Sequence, residues 1–133
     1  MRLELAKKIG AKISTKTLPE GLKFHKVIEA AGAPATFKVA VEHTESNGFM
    51  YVVSIFEKEF NFDINSLVAS QITLVGCNVY TDLDLKEAVE AIVSNKVDVS
   101  PLISRKFKIA ECKKAFEVLN SADKSVAKIL FEI

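Results

Sequence analysis

An α/β fold, a mainly parallel sheet with helices on both faces, is predicted by three features of the sequence. A strand-length apolar segment, a glycine turn and an amphipathic helix follow one another twice, over residues 26–44 and 71–93. Between them Phe49-Met-Tyr-Val-Val-Ser-Ile55 is a continuous apolar run without alternation, the pattern of a parallel strand covered on both faces. Near the carboxyl terminus a further helical stripe leads into Val126–Ile133, which reads as a closing strand.

The 133 residues have the length of one domain, and a chain of this size buries roughly two thirds of the surface it exposes when unfolded. A net charge of +1, with 26% charged residues and no basic stripe, gives no electrostatic reason to expect nucleic acid or a membrane surface as partner. The apolar runs fall short of the about 18 residues of a membrane span, and no signal-peptide pattern opens the chain, so the expected location is the cytoplasm. Cys77 and Cys112 stand outside any Cys-x-x-Cys or His-rich cluster and are expected to be buried small hydrophobes.

Arg2–Ile9 predicts a helix with Leu5, Ala6 and Ile9 on one face, and Gly10 suits the residue just past its end. Ala11 to Thr15 is expected to be a short strand and Leu18–Leu22 a turn-rich connection. Lys26–Gly32 predicts a strand ending in glycine. Pro34, whose fixed φ suits a first helical position, then opens a helix carrying Phe37, Ala40, Val41 and Thr44 on one side. Asn47-Gly48 precedes the 49–55 strand, and no strand of matching length lies before it to make a hairpin. Residues 56–61 form a charged and aromatic loop, after which Asn61 or Asp63 can cap a short helix with Ile64, Leu67 and Val68 inward.

Ile72 to Val75 is β-rich and closes at Gly76, which suits a strand whose carboxyl end approaches a ligand or another backbone. In the following helix Leu85, Ala88, Val89, Ile92 and Val93 form one apolar stripe, with Asp84 and Glu87 spaced as a capping box. Lys96–Pro101 is a turn, Leu102–Lys108 is extended, and Ile109, Cys112, Phe116 and Leu119 form the last helical stripe. No linker or internal repeat divides the chain.

In this order and spacing the segments resemble the zinc-containing medium-chain alcohol and polyol dehydrogenases, over essentially the whole chain and in that family's carboxyl-terminal part only. Arg2–Ala11 is similar to the helix after their second Rossmann strand, and Val27-Ile-Glu-Ala-Ala-Gly32 to the end of the fourth strand. Val52–Lys58 is similar to the fifth and Ile72–Cys77 to the sixth. Leu102–Phe107, Ala115–Leu119 and Ala127–Leu130 resemble the final segment. Ile55–Lys58 and Asn78–Thr81 look more like the polyol and butanediol branch than the ethanol branch.

The resemblance implies an incomplete Rossmann-type parallel sheet: residues 1–77 as the second part of the nucleotide-binding domain, and residues 78–133 as a segment that in the family returns to the catalytic domain. It implies oxidation of an alcohol or polyol by hydride transfer to NAD or NADP, with zinc polarising the oxygen. No Gly-x-Gly-x-x-Gly is present to hold the pyrophosphate, and the residue that would discriminate NAD from NADP has no counterpart in the chain. Zinc ligands belong to the family's amino-terminal half, and Cys77, Cys112, His25 and His43 lack the needed spacing. No catalytic residue and no metal ligand is therefore assigned, and no turnover is expected from the chain alone.

By position, the resemblance assigns Ala31 and Gly32, then Val53, Ser54 and Ile55, then Gly76, Cys77 and Asn78 to the adenosine and nicotinamide side of the cofactor crevice. The family often has glycine where this chain has Ser54. Lys128 is assigned near the pyrophosphate and Arg2 near the adenine or its phosphate, with solvated surface cations as the plainer reading. For the glycines the plainer reading is turn geometry, and for His25 and His43 a surface or helix-end position. Glu29 stands apart, because a carboxylate near a strand end is costly to bury unless paired; hydrogen bonds to neighbouring backbone are expected. The resemblance also implies an open edge on the strand at 26–32 and a homodimer through Ile72–Val75, since the family's sixth strand commonly pairs across a two-fold axis. Two readings follow: a dehydrogenase part that needs an amino-terminal partner chain, or a non-catalytic nucleotide-binding or dimerising remnant.

Overall fold

The computed structural model describes residues 2–121 and 126–133. They fall into two compact units, residues 18–80 and residues 1–17 with 81–133.

The 18–80 unit holds a three-stranded parallel sheet in the order β1 (Phe24–Glu29), β2 (Thr44–Val52), β3 (Thr73–Gly76). Two helices connect the strands, α2 (Pro34–Glu42) and α3 (Asn65–Ser70); α1 (Arg2–Lys8) belongs to the other unit. Adjacent parallel strands in sequence order are what the resemblance implies for strands four, five and six. Pairing of Glu29 with Val52, and of Val52 with Gly76, sets these residues in one row across the carboxyl end of the sheet. Phe37, Ala40 and Val41 from α2 pack with Met50 and Leu67, and Phe37 meets Phe56, Phe60 and Phe62 edge-on at 4.8–6.0 Å between ring centroids. The aromatic loop thus closes over the helix whose first turn borders the strand ends.

Several boundaries differ from the sequence reading. Ala11–Thr15 is not a strand; Ser14 instead donates its hydroxyl to the Leu3 carbonyl at 2.8 Å, tying the segment to α1. The first strand of the sheet starts at Phe24 and ends at Glu29. Thr44, placed on the α2 stripe by its spacing, is the buried first residue of β2, and its hydroxyl donates to the Ala40 carbonyl at 2.7 Å. Asn47-Gly48 lies inside β2, where the register slips between the Phe24–Thr44 and Lys26–Phe49 pairs; Asn47 takes φ 60°, which asparagine tolerates better than most residues. Helix α3 buries Leu67 but leaves Ile64 and Val68 exposed. Asp63 accepts the Asn65 amide at 3.0 Å, one residue short of capping the helix itself.

Helix α3 ends with Gln71 in the left-handed region, φ 51° and ψ 39°. Glycine adopts that conformation without a Cβ clash, so Gln71→Gly is expected to raise stability by about 0.5–1 kcal/mol, read as a higher urea midpoint at unchanged slope.

The second unit contains α1, α4 (Asp82–Val93), β4 (Ile103–Lys108), α5 (Cys112–Asn120) and β5 (Lys128–Glu132), with β4 and β5 paired in parallel. Among its described residues Phe107, Ala115 and Val126 are the buried apolar ones. The α4 capping box is set one turn earlier than expected: Thr81 accepts the Asp84 amide at 3.3 Å, and Asp84 accepts the Thr81 amide at 2.8 Å. The stripe of Leu85, Ala88, Val89, Ile92 and Val93 is exposed, and α4 buries none of its residues. On α5 the inward position is Ala115, so Phe116 and Leu119 face out. Both cysteines are exposed rather than buried. Cys77 follows the last residue of β3, where the sheet meets solvent, and Cys112 opens α5 one turn before its buried face.

Candidate functional site at the strand carboxyl ends

Because β1, β2 and β3 run parallel, their carboxyl ends lie on one side of the sheet, the usual place for a ligand in an open α/β fold. The Val53 amide donates to the Glu29 carbonyl at 3.0 Å, and the Cys77 amide to the Val52 carbonyl at 2.8 Å. These bonds carry the ladder one residue past each strand and bring Val53 and Cys77 to their neighbours' ends.

Glu29 is the centre of this end. Its side chain is 3% exposed and accepts four donors: the Ala31 amide at 3.0 Å, the Gly32 amide at 3.1 Å, the Thr36 hydroxyl at 2.7 Å and the Ser54 hydroxyl. Burial pushes its pKa up, but hydrogen bonds from Ser54, Thr36, Ala31 and Gly32 outweigh that effect and leave the carboxyl below its ordinary value near 4.5. The group therefore stays ionised at neutral pH. Backbone bonding was legible in the sequence. The Ser54 contact was not, because it joins residues 25 apart in the chain; nor was Thr36, which reaches Glu29 only once Pro34 has started the helix.

Gly32 has φ 71°, and a Cβ built there would lie 2.5 Å from the Ile55 carbonyl oxygen. A turn requirement and a close backbone approach both demand glycine. Gly76 is different, since its φ is not positive and nothing lies within 4 Å of a Cβ built on it. The fold leaves open space above the end of β3. Just past the end of β2, Val53 and Ile55 are exposed, Ile55 by 84%. Exposed apolar side chains and a bare glycine at the strand ends suit the edge of a planar ligand.

The structure thus gathers Ala31, Gly32, Val53, Ser54, Ile55, Gly76 and Cys77 at one sheet end, with Asn78 next in the chain. Lys128 begins β5 and Arg2 begins α1, both in the other unit. His25 lies 3.7 Å from Glu45 at the surface, and His43 ends α2 with Nδ1 2.6 Å from the Leu22 carbonyl. Among the described residues no three His, Cys, Asp or Glu side chains come together as a metal site would need. Zinc does not fit the donor set of the described residues.

Beside β1 lies an open groove of about 520 Å³, bordered by Phe24, Ile28, Glu29, Ala31, Thr36 and Val39. Among the described residues β1 pairs only with β2, and Ile28 on it is 67% exposed beside this groove.

Residues 1–94 match the family model for zinc-binding dehydrogenases. The chain belongs to the zinc-binding, medium-chain dehydrogenase family. Among curated members of that family, sorbitol dehydrogenase 1 of Saccharomyces cerevisiae is 34% identical over 91 residues, covering 68% of this dehydrogenase-family chain and 26% of the yeast protein. The L-idonate 5-dehydrogenase of Escherichia coli superposes with a TM-score of 0.84 at 22% identity, covering 96% of this chain and 39% of that one. An alcohol dehydrogenase from E. coli CFT073, solved with NADH, gives the same TM-score at 18% identity over 96% and 40%. These likenesses fix the family fold, a Rossmann-type α/β sheet. The chain spans about a quarter of the yeast relative's length and about two fifths of each of these solved dehydrogenases. No helix among its described residues is long and apolar enough to cross a membrane.

Proposed function

We propose that this chain is the carboxyl-terminal, cofactor-flanking part of an NAD(P)-dependent alcohol or polyol dehydrogenase that oxidises a secondary alcohol by hydride transfer, and that it turns nothing over alone. The observation that carries this reading is the row of Glu29, Val52 and Gly76, with exposed apolar side chains and open space at the strand ends. When bound, the nicotinamide cofactor accepts the hydride; the residues of this chain only flank and orient it. Ala31, Gly32, Val53, Ser54, Ile55, Gly76, Cys77 and Asn78 would line one side of the cofactor. The pyrophosphate cradle and zinc ligands come from an amino-terminal portion, for which β1 and the groove beside it offer a seat. An enzyme of the polyol branch is the form of this reading that the similarity to yeast sorbitol dehydrogenase 1 supports, and a cytoplasmic location is part of the proposal.

Complementation tests it. Sorbitol and 2,3-butanediol with NAD or NADP are expected to give no reduced cofactor with this chain, and measurable reduction once a companion chain carrying Gly-x-Gly-x-x-Gly and the zinc ligands is mixed in. A mixture that stays inactive while both chains are folded and associated counts against the reading.

A second reading, a non-catalytic dimerising remnant, draws on the other sheet edge. Among the described residues β3 pairs only with β2 and exposes Leu74 at 44%, so an isologous pairing of Ile72–Val75 across a two-fold axis would cover it. Sedimentation showing a monodisperse monomer would sink the dimer.

A further inference from the structure

We propose that Glu29 is a positioning residue for the strand-end site, a latch that fixes the Ala31–Gly32 turn and the end of β2 in one geometry for the ligand. The inference rests on the cofactor reading above.

The argument starts from where the four donors come from. Two are successive amides of the turn after β1, one is in the first turn of α2, and one is on the residue two past the end of β2. A carboxylate serving only to close its own turn would be satisfied by the turn amides. Here it also reaches the neighbouring strand end, where Ser54 supplies a hydroxyl. Ala31, Gly32, Ser54 and Ile55 are then held against one another, since a Cβ built on Gly32 would lie 2.5 Å from the Ile55 carbonyl oxygen and 3.5 Å from Ser54 Cβ. These are the residues assigned to the crevice. Glu29 itself is buried and has its acceptors occupied, so its effect on a ligand passes through the backbone it holds.

The test compares the wild-type chain with Glu29→Gln, which removes the charge and half of the acceptor capacity at nearly the same volume. Two readouts are taken together: amide hydrogen exchange residue by residue, and the NADH dissociation constant from amide shift changes. The expected result is exchange about tenfold faster at Ala31 and Gly32, with Met50 and Tyr51 unchanged, and a dissociation constant raised about tenfold. Ser54→Ala, which leaves Glu29 three donors, should move both readouts the same way by less, and serves if Glu29→Gln does not fold. A variant that binds NADH like the wild type overturns the proposal, as does exchange that rises evenly across the sheet. A wild-type chain that ignores NADH overturns the cofactor reading, and takes with it the ligand the latch is proposed to serve.

Discussion

Gly32→Ala is expected to destabilise the 18–80 unit by roughly 3 kcal/mol. A methyl group at φ 71° adds about 1–2 kcal/mol of left-handed strain, and its contact at 2.5 Å from the Ile55 carbonyl forces a backbone shift worth about 1–3 kcal/mol more. Neither contribution can relax alone. Turning the residue out of the left-handed region would break the two hydrogen bonds that the Ala31 and Gly32 amides make to Glu29. Urea unfolding followed by circular dichroism measures the loss. Gly76→Ala is the control, because a Cβ there meets nothing within 4 Å and stability should stay within about 0.5 kcal/mol. If both substitutions cost the same, the close approach at Gly32 is not what the fold depends on.

Glu29→Ala is expected to cost about 2–3 kcal/mol at pH 7, because it strands two amides and two hydroxyls that now share one carboxylate. The wild-type protein should also carry a matching pH dependence. Glu29 has its folded pKa held below the ordinary 4.5, so the folded state keeps the ionised form to lower pH than the unfolded state does. Its contribution is whole above about 4.5. As pH falls below that value the unfolded chain takes up the proton first, and the contribution drains away until the folded-state pKa is passed. Asp84 and Asp98, lowered by bonds from Thr81 and from Ser100, act in the same direction at the surface. The difference between wild-type and Glu29→Ala stability should therefore shrink as pH is taken below about 4.5, measured by urea midpoints at successive pH values. A difference that stays constant from pH 7 to pH 3 would mean that the carboxyl binds its proton equally in the folded and unfolded states, so that folding does not lower its pKa.

What could be read from the sequence was the sheet and its end. The unbroken apolar run at 49–55 and the glycine-closed segments at 26–32 and 72–76 placed three adjacent parallel strands, and the strand ends delivered the assigned residues to one place. Less legible was whatever depends on a partner distant in the chain. Ser54 finds Glu29 only after β1 and β2 have paired, so its role as a hydrogen-bond donor had no signal in the sequence. Helix faces were misjudged for a related reason: a stripe such as Leu85, Val89 and Ile92 signals what a helix is able to bury, while its actual burial depends on a covering surface. The α4 cap shows a smaller ambiguity. Thr81 with Asp84 and Asp84 with Glu87 both fit the same spacing, and the threonine hydroxyl took the amide.

The most direct test of the strand-end site is an NADH titration of the isotopically labelled 133-residue chain, followed amide by amide. Weak binding suffices for detection, since a dissociation constant in the millimolar range corresponds to only about 4 kcal/mol. Saturable shifts at Ala31, Gly32, Val53 to Ile55 and Gly76 to Asn78, with Phe24 and Thr44 at the opposite end of the sheet unmoved, are the predicted result. Shifts that fall elsewhere, or none up to about 10 mM NADH, would contradict the assignment of this sheet end to the cofactor.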